Sequence, residues 1–124
     1  MKLLLDTHTY LWWLSRDQRL SARTRAAIEA ASSAVFVSAA VIWEAGIKIA
    51  LGKLTVRDLD LVAEITASGF LELPIQAAHA QRAARLPPHH HDRFDRVLIA
   101  QAEIESMTLA SSDPIFRAYD IPLL

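Results

Sequence analysis

The feature that most constrains the fold is an apolar run near the start of the sequence, Leu3-Leu4-Leu5, which ends in Asp6. A short apolar run bounded by a polar turn is typical of a strand buried on both faces, as in the centre of a parallel sheet. Ligands of open α/β sheets bind at the carboxyl ends of the strands, so Asp6 lies where chemistry is expected. Taken alone, a role for Asp6 or Thr7 as the cap of the next helix explains the pattern at least as well.

Strands and helices are predicted to alternate along the rest of the chain. Three further strands are predicted at residues 35–38, 70–73 and 108–110, with a candidate edge strand at 121–123. Helices are predicted at residues 9–15, 22–31, 39–51, 59–68, 76–85, 94–106 and, for one or two turns, 114–119. Such alternation favours a parallel sheet between helical layers. We expect an α/β protein of three layers, α/β/α, with a central parallel sheet of four to five strands and a single domain over residues 1–124.

The predicted helix ends depend on capping residues. Ser21 and Asp58 are expected to cap the second and fourth helices, and Gly52 is expected to end the third. The third helix, at residues 39–51, is apolar nearly all round, which predicts that it is buried on all sides. Gly46 lies inside this helix and costs about 1 kcal/mol there relative to alanine. We therefore expect close packing to require a glycine at this position.

Composition excludes several classes of site and suggests a partner. Hydrophobic residues make up 52% of the sequence, slightly more than in a typical domain, which indicates apolar surface kept for a partner. The absence of cysteine excludes disulfides and thiolate metal sites and is compatible with a cytoplasmic location. We find no signal peptide and no run of roughly 20 apolar residues that could span a membrane. The net charge of −1 gives no general attraction to nucleic acid.

Four carboxylates lie next to the predicted strands, at Asp6, Glu44, Asp95 and Asp113. Each has a purely structural explanation. Glu44 can pair with Lys48 four residues later, a contact worth about 0.3–0.5 kcal/mol on a helix. Asp92 can cap the helix whose positive N-terminus stabilises Asp95. Asp113, followed by a proline, has the pattern of an N-cap.

The four acids are harder to explain together than one at a time. If the sheet is parallel, all four point towards the same edge, where they would repel one another unless some were protonated or a cation lay between them. Oxygen ligands without cysteine favour Mg²⁺ or Mn²⁺ over zinc. Acidic sites of this kind usually act on phosphates, because the metal neutralises a phosphodiester and activates a water.

The acids also lie in blocks of sequence spread over the whole chain: LLLDTH (3–8), VSAAVIWE (37–44), LGKL (51–54), LPPHH (86–90), FDRVLIAQA (94–102) and SSD (111–113). In this order, the blocks resemble those of the PIN-domain ribonucleases, specifically the VapC-like toxins of bacterial toxin–antitoxin pairs. The resemblance implies a PIN-like fold and a metal site formed by the four acids. It also implies a hydroxyl beside the last acid, which Ser111 would supply where threonine is usual. Asp92 matches a frequent acid of the subgroup, whereas Arg93 replaces a common proline and puts the loop shape in doubt.

The resemblance further implies Mg²⁺- or Mn²⁺-dependent hydrolysis of RNA by an activated water. Asp6 and Asp95 would be direct ligands, Glu44 would be a ligand or orient the water, and Asp113 would be a ligand or support one. Ser111, Asp92 and Thr7 are predicted to support the site. The implied partners are a small cognate antitoxin and RNA, with a homodimer that forms a larger assembly with the antitoxin. The alternative is a catalytically inactive PIN-like module that binds RNA or protein.

Other residues have less specific interpretations. His89, His90 and His91 are adjacent, and adjacent residues in a loop rarely face one ion, so a surface loop is favoured over a metal site. His8 is best explained as a helix-start residue, and the three tryptophans as core or interface. Two groups of arginines could flank an RNA path or form ordinary solvated helix faces with equal likelihood: Arg16, Arg19, Arg23 and Arg25, and Arg82, Arg85, Arg93 and Arg96.

Overall fold

The central element of the fold is a sheet of four parallel strands. A computed structural model describes residues 1–56 and 58–124. The strands are β1 (Lys2–Leu5), β2 (Ala34–Ser38), β3 (Leu71–Leu73) and β4 (Thr108–Ala110), in the order β3-β2-β1-β4. In the described residues, six α-helices flank this sheet: α1 (Thr7–Ser15), α2 (Ala22–Glu29), α3 (Ala39–Ala50), α4 (Leu61–Ala67), α5 (Ala77–Arg85) and α6 (Arg93–Ile104). The predicted three-layer α/β/α architecture is thereby confirmed.

β1 is an interior strand, as its sequence predicts. It pairs in parallel with β2 on one side and with β4 on the other, and Leu5 lies opposite both Val37 and Ala110. Leu3, Leu4 and Leu5 are completely buried, because helices cover both faces of the sheet at this strand. The carboxyl ends of β1, β2 and β4 therefore meet at one edge of the sheet, and the chain leaves each strand there.

Two predictions of local structure are wrong. The candidate edge strand at 121–123 is only an isolated bridge between Leu109 and Leu123, since Pro122 has no N–H to extend the ladder. The fourth helix begins at Leu61 and is capped by Asp60, whose side chain accepts from two backbone N–H groups. Asp58 instead adopts a left-handed φ of 45°, which is incompatible with the extended backbone of an N-cap.

The expectation that the third helix is buried on all sides is also wrong. One face of α3 packs on the core through Val41 and Ala45, whereas Trp43 is 58% and Ile47 39% exposed. A Cβ added to Gly46 would meet nothing within 4 Å, so packing does not require glycine there. The apolar character of α3 reflects an uncovered face of the molecule. Gly52, by contrast, follows the helix with a φ of 72° and ends it as expected.

Within the described part of the chain, no helix combines the length and the hydropathy that a transmembrane span requires.

Candidate functional site

The candidate site lies at the point where the strand order reverses. β2 and β3 lie on one side of β1, and β4 lies on the other, so the segments that follow β1 and β4 diverge and leave a crevice between them. The Asp6 N–H donates to the Ala110 carbonyl at 3.2 Å, and the Thr9 hydroxyl donates to the same carbonyl at 3.1 Å. These two bonds fix the start of α1 against the end of β4.

Asp6 both caps a helix and faces the crevice. Its Oδ1 accepts from the Thr9 N–H at 2.9 Å, which makes it the N-cap of α1. Its Oδ2 accepts from the Ser111 hydroxyl at 2.5 Å. The carboxylate is only 7% exposed, so it is held from both sides in a mostly buried position. The structural and the functional interpretation of Asp6 therefore do not exclude each other.

Glu44 is buried on the second turn of α3, which follows directly from β2. The Thr7 hydroxyl donates to its Oε1, and the Lys48 ammonium lies 3.2 Å from its Oε2. The Glu44–Lys48 pair predicted on the helix thus exists. The same carboxylate lines the cavity that Asp6 also lines.

Asp95 occupies the first turn of α6, where Asp92 is the N-cap and accepts from the Asp95 N–H at 3.0 Å. The Nε2 of His90 lies 2.6 Å from the Asp95 Oδ2. Burial raises the pKa of Asp95 to about 6, and repulsion from Asp92 and Glu44 adds to this rise while the His90 hydrogen bond opposes it. The site therefore disfavours negative charge on Asp95 unless a positive charge compensates it.

Asp113 lies at the exposed mouth of the site. It caps the short 3₁₀ helix Pro114–Ala118 by accepting from the Ile115 N–H at 3.0 Å, as the Asp-Pro pattern predicts. Its own N–H donates to the Ser111 hydroxyl oxygen at 3.0 Å. Ser111 therefore links Asp113 to Asp6 and connects the ends of β4 and β1.

All four sequence-predicted acids line one cavity of about 220 Å³. Its other residues are Thr7, His8, Lys48, His90, Asp92 and Phe116. Ser111 is not part of the lining but contacts it through Asp6. Among the described residues of this lining, the five carboxylates face a single Lys or Arg side chain, that of Lys48. The cavity is therefore a strongly acidic one, with Thr7, Asp92 and Ser111 placed to support it.

The donor set of the cavity fits a hard divalent cation. Carboxylate and hydroxyl oxygens are the ligands that Mg²⁺ and Mn²⁺ prefer. The pKa of Asp95 is raised mainly by burial and further by the carboxylates of Asp92 and Glu44, so a cation in the cavity would stabilise its charged form. In the described parts of the chain, however, no three acidic or histidine side chains lie close enough together to hold a metal as they stand. Each of three carboxylates already contacts a polar side chain of the protein: Asp6 contacts Ser111, Glu44 contacts Lys48, and Asp95 contacts His90. An ion would require some of these side chains to rotate.

Three residues have roles at or beside the site that the sequence does not predict. Lys48 is predicted only as the helix partner of Glu44, and His90 only as part of a surface loop. Arg96, which lies outside the cavity lining, is predicted among the arginines that could meet RNA, yet its guanidinium donates inward to backbone carbonyls. Since His90 and Asp95 meet through the shape of a loop and not through helical or strand spacing, no periodic signal in the sequence could indicate the contact.

Comparisons with known proteins identify the family and the fold. A family model for the PIN domain matches residues 3–122. A search of curated proteins gave no significant match.

Solved structures with the same fold include complexes of toxins with antitoxins. The VapBC2 structure from Rickettsia felis, bound to a promoter DNA fragment, contains a chain with a TM-score of 0.73 and 14% identity, over 100% of this chain and 98% of that one. A chain of FitAcB from Neisseria gonorrhoeae has a TM-score of 0.64 and 21% identity, over 98% of this chain and 96% of that one. A chain of a toxin–antitoxin complex from Klebsiella pneumoniae has a TM-score of 0.68 and 17% identity, over 98% of this chain and 95% of that one. At these identities, the likeness shows the fold alone.

Proposed function

Because the chain belongs to the PIN domain family, we propose that it is a metal-dependent endoribonuclease and the toxin of a toxin–antitoxin pair. PIN domains are generally nucleases. The observation that carries the proposal for this chain is the single acidic cavity that gathers Asp6, Glu44, Asp95 and Asp113 at the strand switch point. A partly buried cluster of this charge is costly without a cation, and such sites usually act on phosphate groups.

In the proposed site, Asp6 and Asp95 hold Mg²⁺ or Mn²⁺ directly, with Glu44 and Asp113 completing or supporting the set. Such an ion would supply positive charge to a phosphodiester and lower the pKa of a bound water. Thr7 and Ser111 fix Glu44 and Asp6 by donating their hydroxyls to the two carboxylates. The attacking group is water, so no serine, cysteine or histidine nucleophile is needed.

The charges outside the cavity support one of the two predicted RNA paths. Arg19 lies over the Trp12 ring at 5.2 Å, and Arg25 lies over the Trp13 ring at 5.8 Å, both on the side formed by α1 and α2. Guanidinium groups over aromatic rings present a flat cationic surface of the kind that binds single-stranded nucleic acid. Arg19 also pairs with Asp17, but its side chain stays 70% exposed. In the other arginine group, Arg96 is used internally, since its guanidinium donates to four backbone carbonyls. We therefore place the RNA on the α1–α2 side.

The test of the nuclease proposal is cleavage of RNA by the purified chain with and without chelation. With Mg²⁺ or Mn²⁺ present, we expect endonucleolytic products from a labelled single-stranded RNA, and none in excess EDTA. Restoration of cleavage by added Mn²⁺ is the control for damage by the chelator. Cleavage that continues undiminished in EDTA would disprove the metal mechanism. RNA binding without cleavage under all metals would favour the inactive-module alternative.

The proposed antitoxin has an apolar groove available to it. Beside α1, a cavity of about 470 Å³ is lined mostly by apolar side chains, including Leu11, Trp12, Leu54, Val56 and Leu59. His8 lines both this groove and the acidic cavity, so a segment lying in the groove would reach the acids. We propose that the antitoxin packs apolar side chains here and places a basic side chain among the carboxylates. That the structural neighbours were solved with antitoxins supports this partner.

Expression of the chain alone is expected to arrest bacterial growth, and co-expression with its antitoxin is expected to relieve the arrest. The neighbouring upstream reading frame is the place to look for that antitoxin. A chain carrying Asp95→Asn is the matched control, because it should leave growth unaffected at equal expression. Growth that is unaffected by the active chain would contradict the toxin role but leave the nuclease proposal standing.

The homodimer implied by the family resemblance stays a prediction. The exposed apolar face of α3, with Trp43 and Ile47, is the surface that we propose for it. Trp43 is held edge-on against Phe94 at 5.0 Å, so this face is ordered in the single chain.

A further inference from the structure

We propose that His90 is a positioning residue, which orients the carboxylate of Asp95 for metal binding. This inference rests on the proposed nuclease function and adds a residue to its site. The three adjacent histidines differ in their surroundings. His89 packs edge-on against Tyr119, His91 is exposed, and His90 turns inward to the acidic cavity.

The contact between His90 and Asp95 is short and shielded from water. The Nε2 of His90 lies 2.6 Å from the Asp95 Oδ2, with side-chain exposures of 21% and 19%. The imidazole is also packed edge-on against Phe116, at 6.4 Å between ring centroids. One carboxylate oxygen is thereby bound to His90, and the other is left for the cavity.

The loop that carries His90 is held in place and does not resemble a mobile lid. Arg96, one turn into α6, donates from Nη1 to the carbonyls of Pro87 and His90 at 3.0 and 3.1 Å. Its Nη2 donates to the carbonyls of Ala83 and Leu86, both at 2.8 Å. Four hydrogen bonds from one guanidinium fix the chain from the end of α5 to His90. The Tyr119 hydroxyl adds a fifth, to the Pro87 carbonyl at 2.9 Å.

Positioning explains this arrangement better than gating does. Carboxylates that bind metals are generally oriented by hydrogen bonds from neighbouring side chains, and loss of such a partner typically costs 10- to 100-fold in metal affinity or activity. A gate would need to leave Asp95 when the ion arrives. The backbone of His90 is held by the loop bonds, and its ring is confined by packing against Phe116, so both oppose that movement. The two roles predict opposite effects of removing the imidazole. Removal of a positioning residue weakens ion binding, whereas removal of a gate strengthens it.

The experiment measures Mn²⁺ binding by titration calorimetry on the purified full chain, in the parent and three variants. His90→Ala is expected to weaken Mn²⁺ binding by about 10- to 100-fold. His90→Gln is expected to restore most of the affinity, because its amide N–H can donate to the same oxygen. His91→Ala is the matched control, a histidine of the same loop that is exposed, and its affinity should equal that of the parent.

RNA cleavage provides a second measurement of the effect of His90 on Mn²⁺ binding. In His90→Ala, the Mn²⁺ concentration for half-maximal cleavage should rise by the same factor as the dissociation constant, while kcat at saturating Mn²⁺ stays within a few-fold of the parent. Thermal melts in EDTA identify a variant that has lost its fold. Should His90→Ala fail that check, His90→Asn, which is polar but shorter, replaces it.

The outcomes separate this inference from the proposed function. Parent-like Mn²⁺ affinity in folded His90→Ala would overturn the role of His90 and leave the nuclease proposal intact. Tighter binding in that variant would also overturn it, and would make His90 an occupant of the ion's position. A parent that binds no Mn²⁺ and cleaves no RNA would overturn both.

Discussion

Replacing Asp95 by asparagine is expected to lower the rate of RNA cleavage by at least about 10²-fold, the scale of losing one preorganised electrostatic contact to a transition state. Asparagine keeps the shape of the side chain and can still accept from His90, so the change removes mainly the charge. Asp6→Asn should have an effect of similar size, because it also removes the charge of a proposed direct ligand. It should leave α1 intact, because asparagine caps a helix about as well as aspartate. The measurement is the single-turnover rate with saturating RNA and Mg²⁺.

Asp60→Asn is the matched control for both changes. Asp60 also caps a helix, α4, by accepting from the Val62 and Ala63 N–H groups, but it lies outside the acidic cavity. Its variant should cleave RNA at the parental rate. Near-parental cleavage by Asp6→Asn or Asp95→Asn would remove that residue from the proposed site. It would mean that the acid is only a helix cap or a helix-start charge.

The fold could be predicted because its signals are local and agree with one another. An apolar run such as Leu3-Leu4-Leu5 indicates a strand covered on both faces, and parallel strands place their carboxyl ends at one edge. The convergence of Asp6, Glu44 and Asp113 follows from that topology. The capping roles of Asp6 and Asp113 could be read from the same positions, because a residue that leaves a strand to enter a helix is also the N-cap of that helix.

The remaining features depend on long-range packing that no local pattern records. Asp58 and Asp60 are equally good capping residues in the sequence, and the choice between them depends on where α4 meets β3. The apolar residues of α3 do not reveal which of them the rest of the chain covers, so exposure of Trp43 could not be predicted. His90 meets Asp95 only because Arg96 draws the preceding loop over the start of α6.

The stability of the metal-free protein should show the cost of a negative charge on Asp95. Burial and the neighbouring carboxylates raise the pKa of Asp95 to about 6, above its ordinary value of 3.8. Because the folded protein holds this proton more tightly than the unfolded chain, the associated stability is present below about pH 4 and is lost as the pH rises through about 6. In EDTA at pH 7.5, Asp95→Asn should therefore melt at the same temperature as the parent or higher. At pH 5 this advantage should shrink.

Mg²⁺ should reverse the order of the two proteins at pH 7.5. A ligand at about 100 times its dissociation constant stabilises the folded state by about 2.7 kcal/mol, so the melting temperature of the parent should rise with Mg²⁺. Most of that gain should vanish in Asp95→Asn, whereas Asp60→Asn should respond like the parent. If the acids were unrelated helix caps, Mg²⁺ would do little to any of the three proteins. An equal response of parent and Asp95→Asn would place the ion elsewhere, since a site built on this carboxylate cannot lose its charge and keep its affinity.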